Sequence, residues 1–329
     1  MLFDSTKKKD EADDGLSGAS AINIILMLAV LLFTGYLLTG QTNVPIELSF
    51  TKINETTLEN GTWIQEIFNE NGFLYSVACT RDLEPRLYKH TSPTNRTFIK
   101  KLCEAPDRYY FHKGLAVTRV DNITFAFVNI HVFEKTLTAC YSGDSIENLE
   151  YIGLASQAGY FPNTTMNFRI RDVWFNTTDQ LFYAYYDGSD LGKGTHYYTY
   201  LGRSPDPFFD PEEFEYLYCA GNGWNEGGLY APNVLWLDEY GIGCVKGYKN
   251  PVKPYDFDSD LVYIEKPSNV QFFTNLRALQ GFFSKYLNDE TQASFLFTYN
   301  EKIYLASRHG EYQISEIFGI IYEVEIKKN

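Results

Sequence analysis

Hydrophobic residues are spread along this chain in two different ways. From Ile22 to Leu38 they form one near-continuous run, INIILMLAVLLFTGYLL, and beyond it no long stretch keeps apolar residues at helical spacing. The remaining 290 or so residues are a series of short segments in which Val, Ile, Phe and Tyr alternate with polar residues between turn-forming Gly, Asn and Asp. With Ala21 and Thr39 at its margins, the first pattern reaches the roughly 17–25 residues that a bilayer-spanning helix requires. The second predicts strands. The expected organisation is a short cytoplasmic tail over 1–20, a transmembrane helix over 21–39, a stalk with a closing strand over 40–60 and a β-rich ectodomain over 61–329.

The strand segments repeat. NGFLYSVACT from Asn71, DNITFAFVNI from Asp121, DQLFYAYYDG from Asp179, EYGIGCVKGY from Glu239 and TQASFLFTYN from Thr291 begin 50, 58, 60 and 52 residues apart. Each is preceded by an apolar strand ending in a turn (TWIQEIFNE, GLAVTRV, RDVWFNTT, APNVLWLDE, FFSKYLNDE) and followed by two more strands. Units of four strands at this period predict an all-β fold, a five-bladed β-propeller, with a large β-sandwich as the alternative. A propeller must close its ring, and the strands IELSF from Ile46 and IIYEVEI from Ile320 are left over to complete a terminal blade. Aromatic residues make up 17% of the chain, enough to fill the wide gaps between facing blades, so core packing comes before sugar stacking as their reading.

The apolar run also sets compartment. It is longer than a signal-peptide core and is followed by Thr39-Gly40-Gln41 with no A-x-A cleavage pattern, which predicts an uncleaved signal anchor. Lys7, Lys8 and Lys9 favour a cytoplasmic N-terminus. Six glycosylation sequons, at Asn54, Asn60, Asn95, Asn122, Asn163 and Asn176, all lie beyond the run and agree with an extracytoplasmic C-terminal domain. Cys79, Cys103, Cys140, Cys219 and Cys244 have no C-x-x-C spacing; disulfides are permitted outside the cytoplasm, and zinc is not indicated. The net charge of −14 excludes nucleic acid as a partner and leaves a single membrane span, a glycan or a surface protein as the expected ones.

Ligand sites of a propeller collect where the chain crosses from one blade's outer strand to the next blade's inner strand. Two such segments carry chemistry: NFRIRDVWF from Asn167 and CAGNGWNEGGLYAPN from Cys219. The first resembles the Arg-Asp motif of five-bladed glycoside hydrolases of the fructosidase, levansucrase and arabinanase type. Ser204-Pro-Asp206 followed by Phe214-Glu-Tyr resembles their blade ending, and Phe168-Arg169-Ile170 is similar to the F/Y-R-I-P motif of sialidases, with Arg171 in place of Pro. The resemblance implies three acids at inner-strand starts, and Asp172 stands where the transition-state stabiliser belongs. The same offset in the first and fourth units lands on Ile64 and Pro232, leaving Glu66 and Glu226 as the nearest carboxylates. Hydrolysis needs a paired acid and base, so the resemblance implies either a recognition module built on a hydrolase scaffold or an active glycosidase with displaced acids.

Around these acids, Arg169, Arg171, Trp224, Asn225 and Tyr230 are the expected ligand-binding residues. Structural ion pairs and a simple Gly-rich turn are the competing readings for the arginines and the 224–230 loop respectively. Asp256, Asp258 and Asp260 put three carboxylates on one side of an extended segment that could hold Ca²⁺, although the EF-hand Gly and closing Glu are missing and a solvated loop explains it equally. No other metal or cofactor is implied. The five histidines, at 90, 112, 131, 196 and 309, show no H-x-x-x-H spacing and no nucleophile elbow accompanies them. The expected function is therefore glycan or protein recognition by a membrane-anchored ectodomain, with glycoside hydrolysis and structural coat assembly as alternatives.

Overall fold

The structure is a computed structural model that describes residues 46–58, 63–79, 83–132, 135–156, 166–190, 196–209, 214–218, 228–237, 240–248, 257–265, 291–309 and 317–328. Their regular structure is entirely β, in strands β1 (Ile46–Leu58) to β19 (Ile317–Lys328). No helix among them is long and apolar enough to cross a membrane, and the run at 22–38 lies outside them.

β2 (Trp63–Glu70), β3 (Phe73–Cys79), β4 (Pro85–His90) and β5 (Arg96–Lys101) form an antiparallel meander, as do β6 (Tyr110–Val120), β7 (Ile123–Val132), β8 (Lys135–Gly143) and β9 (Glu150–Ser156). β10 (Met166–Asn176), β11 (Leu181–Asp190), β12 (His196–Ser204) and β13 (Phe214–Tyr218) repeat the pattern, and β14 (Gly228–Trp236), β15 (Tyr240–Tyr248) and β16 (Phe257–Glu265) begin it again. These last two units count as one seven-stranded sheet only because Tyr197 of β12 and Gly228 of β14 form a single parallel pair. The closing sheet runs β17 (Thr291–Tyr299), β18 (Lys302–His309), β19, β1, so the chain's first described strand hydrogen-bonds its last.

Where the connection is described, each inner strand turns tightly into the second strand of its unit. The turns use left-handed residues such as Asn71 (φ 51°) with Gly72 (φ 80°), Asp121 (φ 54°) and Asn300 (φ 47°), the backbone that matches the twist of a hairpin. Strands β2, β6, β10, β14 and β17 touch in succession and β17 touches β2 again, closing a ring. Five apolar clusters fill five seams. Val77, Leu87 and Leu115 lie between the first and second units; Phe127, Ile170 and Tyr186 between the second and third. Tyr185, Leu201 and Val234 join the third to the fourth, Ile242, Leu261 and Leu305 the fourth to the closing sheet, and Phe297 and Leu74 the closing sheet to the first. This is a β-propeller. Ile46 and Leu48 of β1, each 1% exposed, sit in the fourth seam, so β1 is core and not a linker.

The fifth repeat is out of phase with the expectation. The repeat pattern predicts TQASFLFTYN as a second strand, but it is β17, the innermost described strand of its sheet, and its hairpin comes later, at Asn300-Glu301. Its alternation matches that of a second strand, which is why sequence does not tell them apart; FFSKYLNDE, expected before it, lies outside the described residues. The cysteine expectation changes as well. Cys79, Cys103, Cys140 and Cys244 are buried thiols and no disulfide links the described cysteines, while Cys219 lies outside them. Burial pushes the Cys103 thiol up to about 12, so it stays protonated and unreactive.

Candidate functional site

Every inner strand shifts register against its hairpin partner near the same place. The shift falls between Ile64 and Glu66 in β2, Phe111 and Leu115 in β6, Ile170 and Asp172 in β10, Tyr230 and Asn233 in β14, and Ala293 and Phe295 in β17. A bulge inserts backbone on one strand and re-aims the side chains beyond it. The first residue after each bulge is therefore Glu66, Leu115, Asp172, Asn233 or Phe295. Two carboxyl groups occupy this series, both at the fifth pair from their hairpins, Glu66 opposite Val77 and Asp172 opposite Tyr185.

The two acids are held alike. Val234 N–H of β14 donates to Asp172 Oδ2 at 2.6 Å, and Val173 N–H donates to the same carboxylate. Ile67 N–H donates to Glu66 Oε1 at 2.9 Å, and Val117 N–H of β6 also reaches that carboxylate. Each carboxyl thus accepts the amide of the residue after it and an amide of the next unit's inner strand. Burial pushes Asp172 up to about 7, against the pull of its two N–H donors. Burial raises Glu66 well above the ordinary carboxylate range, and the charge of Asp172 raises it further. Both carboxyl groups therefore hold their protons to higher pH than free carboxylates do, and an ionised Asp172 opposes ionisation of Glu66. Tyr185, fully buried opposite Asp172, has its phenol raised by burial and by the same charge.

The surroundings are laced across units. Asn233 Nδ2 donates to Arg171 O. Asn129 donates to Ile170 O and accepts from Ile170 N, at 3.2 and 3.0 Å, with Thr138 Oγ1 donating to its Oδ1 at 3.2 Å. Gly114 N–H donates to Gln65 Oε1 at 2.7 Å, beside Glu66. Gly114 has φ 107°, and a Cβ there would meet Asn129 Nδ2 and lie 3.0 Å from Ile170 O, so only glycine lets the strands approach. Beneath Asp172, Trp174 stacks on Tyr183 with centroids 5.4 Å apart and meets Trp236 at 4.9 Å.

Of the residues singled out from sequence, Glu66 and Asp172 lie within electrostatic reach of one another. Arg169 and Arg171 are half-buried on β10 on either side of Ile170, with Arg171 in the bulge itself. Trp224, Asn225 and Glu226 lie outside the described residues, as do Asp256, Asn60 and Asn163; Tyr230 is in β14 and Asp258 and Asp260 are in β16. Asn95 and Asn122 are exposed in turns, Asn54 lies in β1, and Asn176 Oδ1 accepts from Thr178 N–H at 3.0 Å. The Ser204-Pro-Asp206 string makes a turn: Asp206 Oδ1 accepts from Phe208 N–H at 2.8 Å, and Phe209 N–H bonds Ala155 O at 2.8 Å.

Sequence reasoning misses Asn233 as the fourth unit's counterpart and lands two residues short of Glu66. The cause is hairpin length, two residues after β2 and four after β10. It also misses a Ser-His pair, Ser76 Oγ 2.8 Å from His90 Nε2. Ser76 is 0% exposed and burial lowers His90 to about 4, so the pair satisfies a buried imidazole and has no route to substrate.

The ring of meanders around a carboxyl-bearing centre defines a β-propeller of the kind found in glycoside hydrolases. Structures of that class are similar to most of this chain: a thermostable family-43 glycoside hydrolase (TM-score 0.58, 11% identity, covering 83% of this chain and 96% of that one); the Bacillus subtilis arabinanase (0.54, 13%, 84% and 97%); and the Bombyx mori family-32 β-fructofuranosidase (0.54, 11%, 90% and 67%). At these identities the likeness is one of fold. No family model matches the sequence, and no curated protein matches it significantly.

Proposed function

We propose that this chain is a membrane-anchored, extracytoplasmic glycoprotein whose five-bladed propeller recognises a glycan at the Glu66–Asp172 centre. The observation that carries the reading is the asymmetry of the post-bulge positions: two hold coupled carboxyl groups, and the fourth unit holds Asn233, whose amide is committed to Arg171 O. Carboxyl groups whose protons are held toward neutral pH offer both donors and acceptors to sugar hydroxyls. Arg169, Arg171, Tyr230 and the 224–226 segment complete the proposed site. The fold neighbours, a fructofuranosidase and an arabinanase by name, support a sugar over a peptide as ligand. Asn54, Asn60, Asn95, Asn122, Asn163 and Asn176 are the proposed glycan acceptors.

A specific observation also favours glycoside hydrolysis. Two carboxyl groups that both hold their protons above the ordinary range, one of them ionising near pH 7, suit acid–base cleavage of a glycosidic bond. One experiment separates the readings: screen the full-length protein and Asp172→Asn on an oligosaccharide array and against aryl glycosides. Binding by the parent, lost in Asp172→Asn and without sugar release, supports recognition. Release that stops in Asp172→Asn and in Glu66→Gln replaces it with hydrolysis. Absence of both defeats the site.

A further inference from the structure

Among the described residues, the exposed large hydrophobic side chains lie on outer strands, at hairpins and in turns, with one exception. Tyr110, the most exposed of them at 75%, opens the inner strand β6. Strand alternation fixes the side it takes. Phe111 and Ile130 pack between the first and second units, so Tyr110 and its ladder partner His131 project from the opposite face of the sheet, the one that meets the third unit. Asn129, two residues from His131, shares that face: its Nδ2 donates to Ile170 O and its Oδ1 accepts from Ile170 N–H, two residues before Asp172. The route from Tyr110 to the acidic centre is short. It takes one ladder pair to His131, about 5 Å between Cβ atoms, and then about 7 Å of strand to Asn129.

We infer that Tyr110 is the stacking platform of an outer sugar subsite, so that the glycan held at the acidic centre is an oligosaccharide whose further sugars run over the second unit. The inference rests on the glycan reading of the Glu66–Asp172 centre and extends it to the length of the ligand. A tyrosine ring left in water presents an apolar face to the C–H face of a sugar ring, and its hydroxyl reaches the sugar hydroxyls at the rim. Single exposed aromatic residues need no explanation in general. This one opens an inner strand, on the face that leads to Asp172, and so continues a site already present. Its surroundings in the chain are polar. Asp107 and Arg108 are exposed in the turn just before it, which Tyr109 N–H closes on Pro106 O at 3.0 Å. A carboxylate and a guanidinium next to an aromatic ring supply the acceptors and donors that sugar hydroxyls require. His131 is held in place opposite Tyr110: it is half-buried, and its Nδ1 lies 3.4 Å from Oγ1 of the buried Thr136.

The test uses the full-length protein on an array of cello-, xylo-, manno- and arabino-oligosaccharides running from one sugar unit to six. Tyr110→Ala should bind the longest members tenfold or more weakly than the parent and the shortest bound member within twofold. Tyr110→Phe keeps the ring and should bind every length as the parent does. Because Tyr110 is exposed, both variants should melt with the parent. On the unmutated protein, a bound hexasaccharide should protect Tyr110 from nitration by tetranitromethane and the shortest bound member should not, while Tyr151 on β9 is nitrated at an unchanged rate. Loss of binding in Asp172→Asn with an unchanged length dependence in Tyr110→Ala removes the subsite and leaves the centre standing. Equal weakening of Tyr110→Ala at every length places the ring in the centre itself and overturns the outer subsite. A parent that binds no member of the array overturns the subsite together with the reading it rests on.

Discussion

Glu66 and Asp172 occupy the same position of two different inner strands, each the first residue beyond a bulge and each accepting an amide from the following unit. The carboxyl groups act as staples across two seams while remaining close enough for the charge of one to raise the other. Their pH dependence is set by the direction of those shifts. Both folded pKa values lie above the ordinary values of 4.5 and 3.8, so the stability they contribute is complete below about pH 4 and is lost as pH rises through about 7, where Asp172 ionises. The cost of ionising Asp172 in the folded state is on the order of 4 kcal/mol as an upper bound. Thermal melts should therefore carry a component that falls between about pH 4 and 7 and levels off above it, and Asp172→Asn should remove that component. Parent and variant curves that run parallel over this interval contradict the assignment.

Asparagine and alanine at 172 should behave differently. Asparagine keeps an oxygen for Val234 N–H, so Asp172→Asn should melt within a few degrees of the parent at pH 7 while losing ligand. Alanine leaves that N–H without its acceptor, and Asp172→Ala should cost about 1–3 kcal/mol in denaturant titration. Equal losses for the two would mean that the carboxylate itself, and not hydrogen-bond acceptance, holds the seam.

Glu70 is a structural carboxylate and should respond to substitution through stability alone. It is 4% exposed, accepts Thr124 Oγ1–H and the Ile146 N–H, and lies 3.5 Å from Arg119 Nη1. Removing one partner of a buried ionic group costs about 3–5 kcal/mol. Glu70→Ala should lower the unfolding midpoint by that amount, and a near-neutral result would show that the cluster relaxes freely.

Gly114→Ala tests the packing of inner strands around the centre. A left-handed φ with Asn129 and Ile170 O in contact distance leaves no room for a methyl group. Strain of about 1–3 kcal/mol is expected, together with loss of the Asn129 bonds to Ile170. Hydrogen exchange at the Ile170 amide should quicken sharply in the variant while amides of β18 stay protected.

Closing the ring with β1 makes the two ends of the fold interdependent. Removing Ile320 to Asn329 strips β1 of its partners from Ile46 to Glu55 and opens the seam that holds Leu48 and Val324. Unfolding of the truncated protein should be global at a lowered midpoint, read by near-ultraviolet dichroism, because an exposed blade edge frees every strand that leaned on it. Retention of the parent midpoint would argue against a closed ring.

Alternation and turn residues are enough to read an all-β chain of repeated meanders, because strand period and hairpin chemistry are local properties. NGFLYSVACT and DNITFAFVNI announce their hairpins through Asn71-Gly72 and Asp121-Asn122. Asp172 can also be picked out from its neighbours in the chain. Its equivalence to Glu66 cannot, because equivalence between units depends on hairpin length and bulge position, and residues 106 apart come within electrostatic reach only when the ring closes. The phase of the last unit is likewise undecided in the sequence, since β17 and a second strand share one alternation, and only contact with β14 and β2 makes it an inner strand. Local pattern is written in the covalent chain, whereas the raised pKa values of Glu66 and Asp172 come from shielding a buried and a half-buried carboxyl group from water, and that is a property of the assembled ring alone.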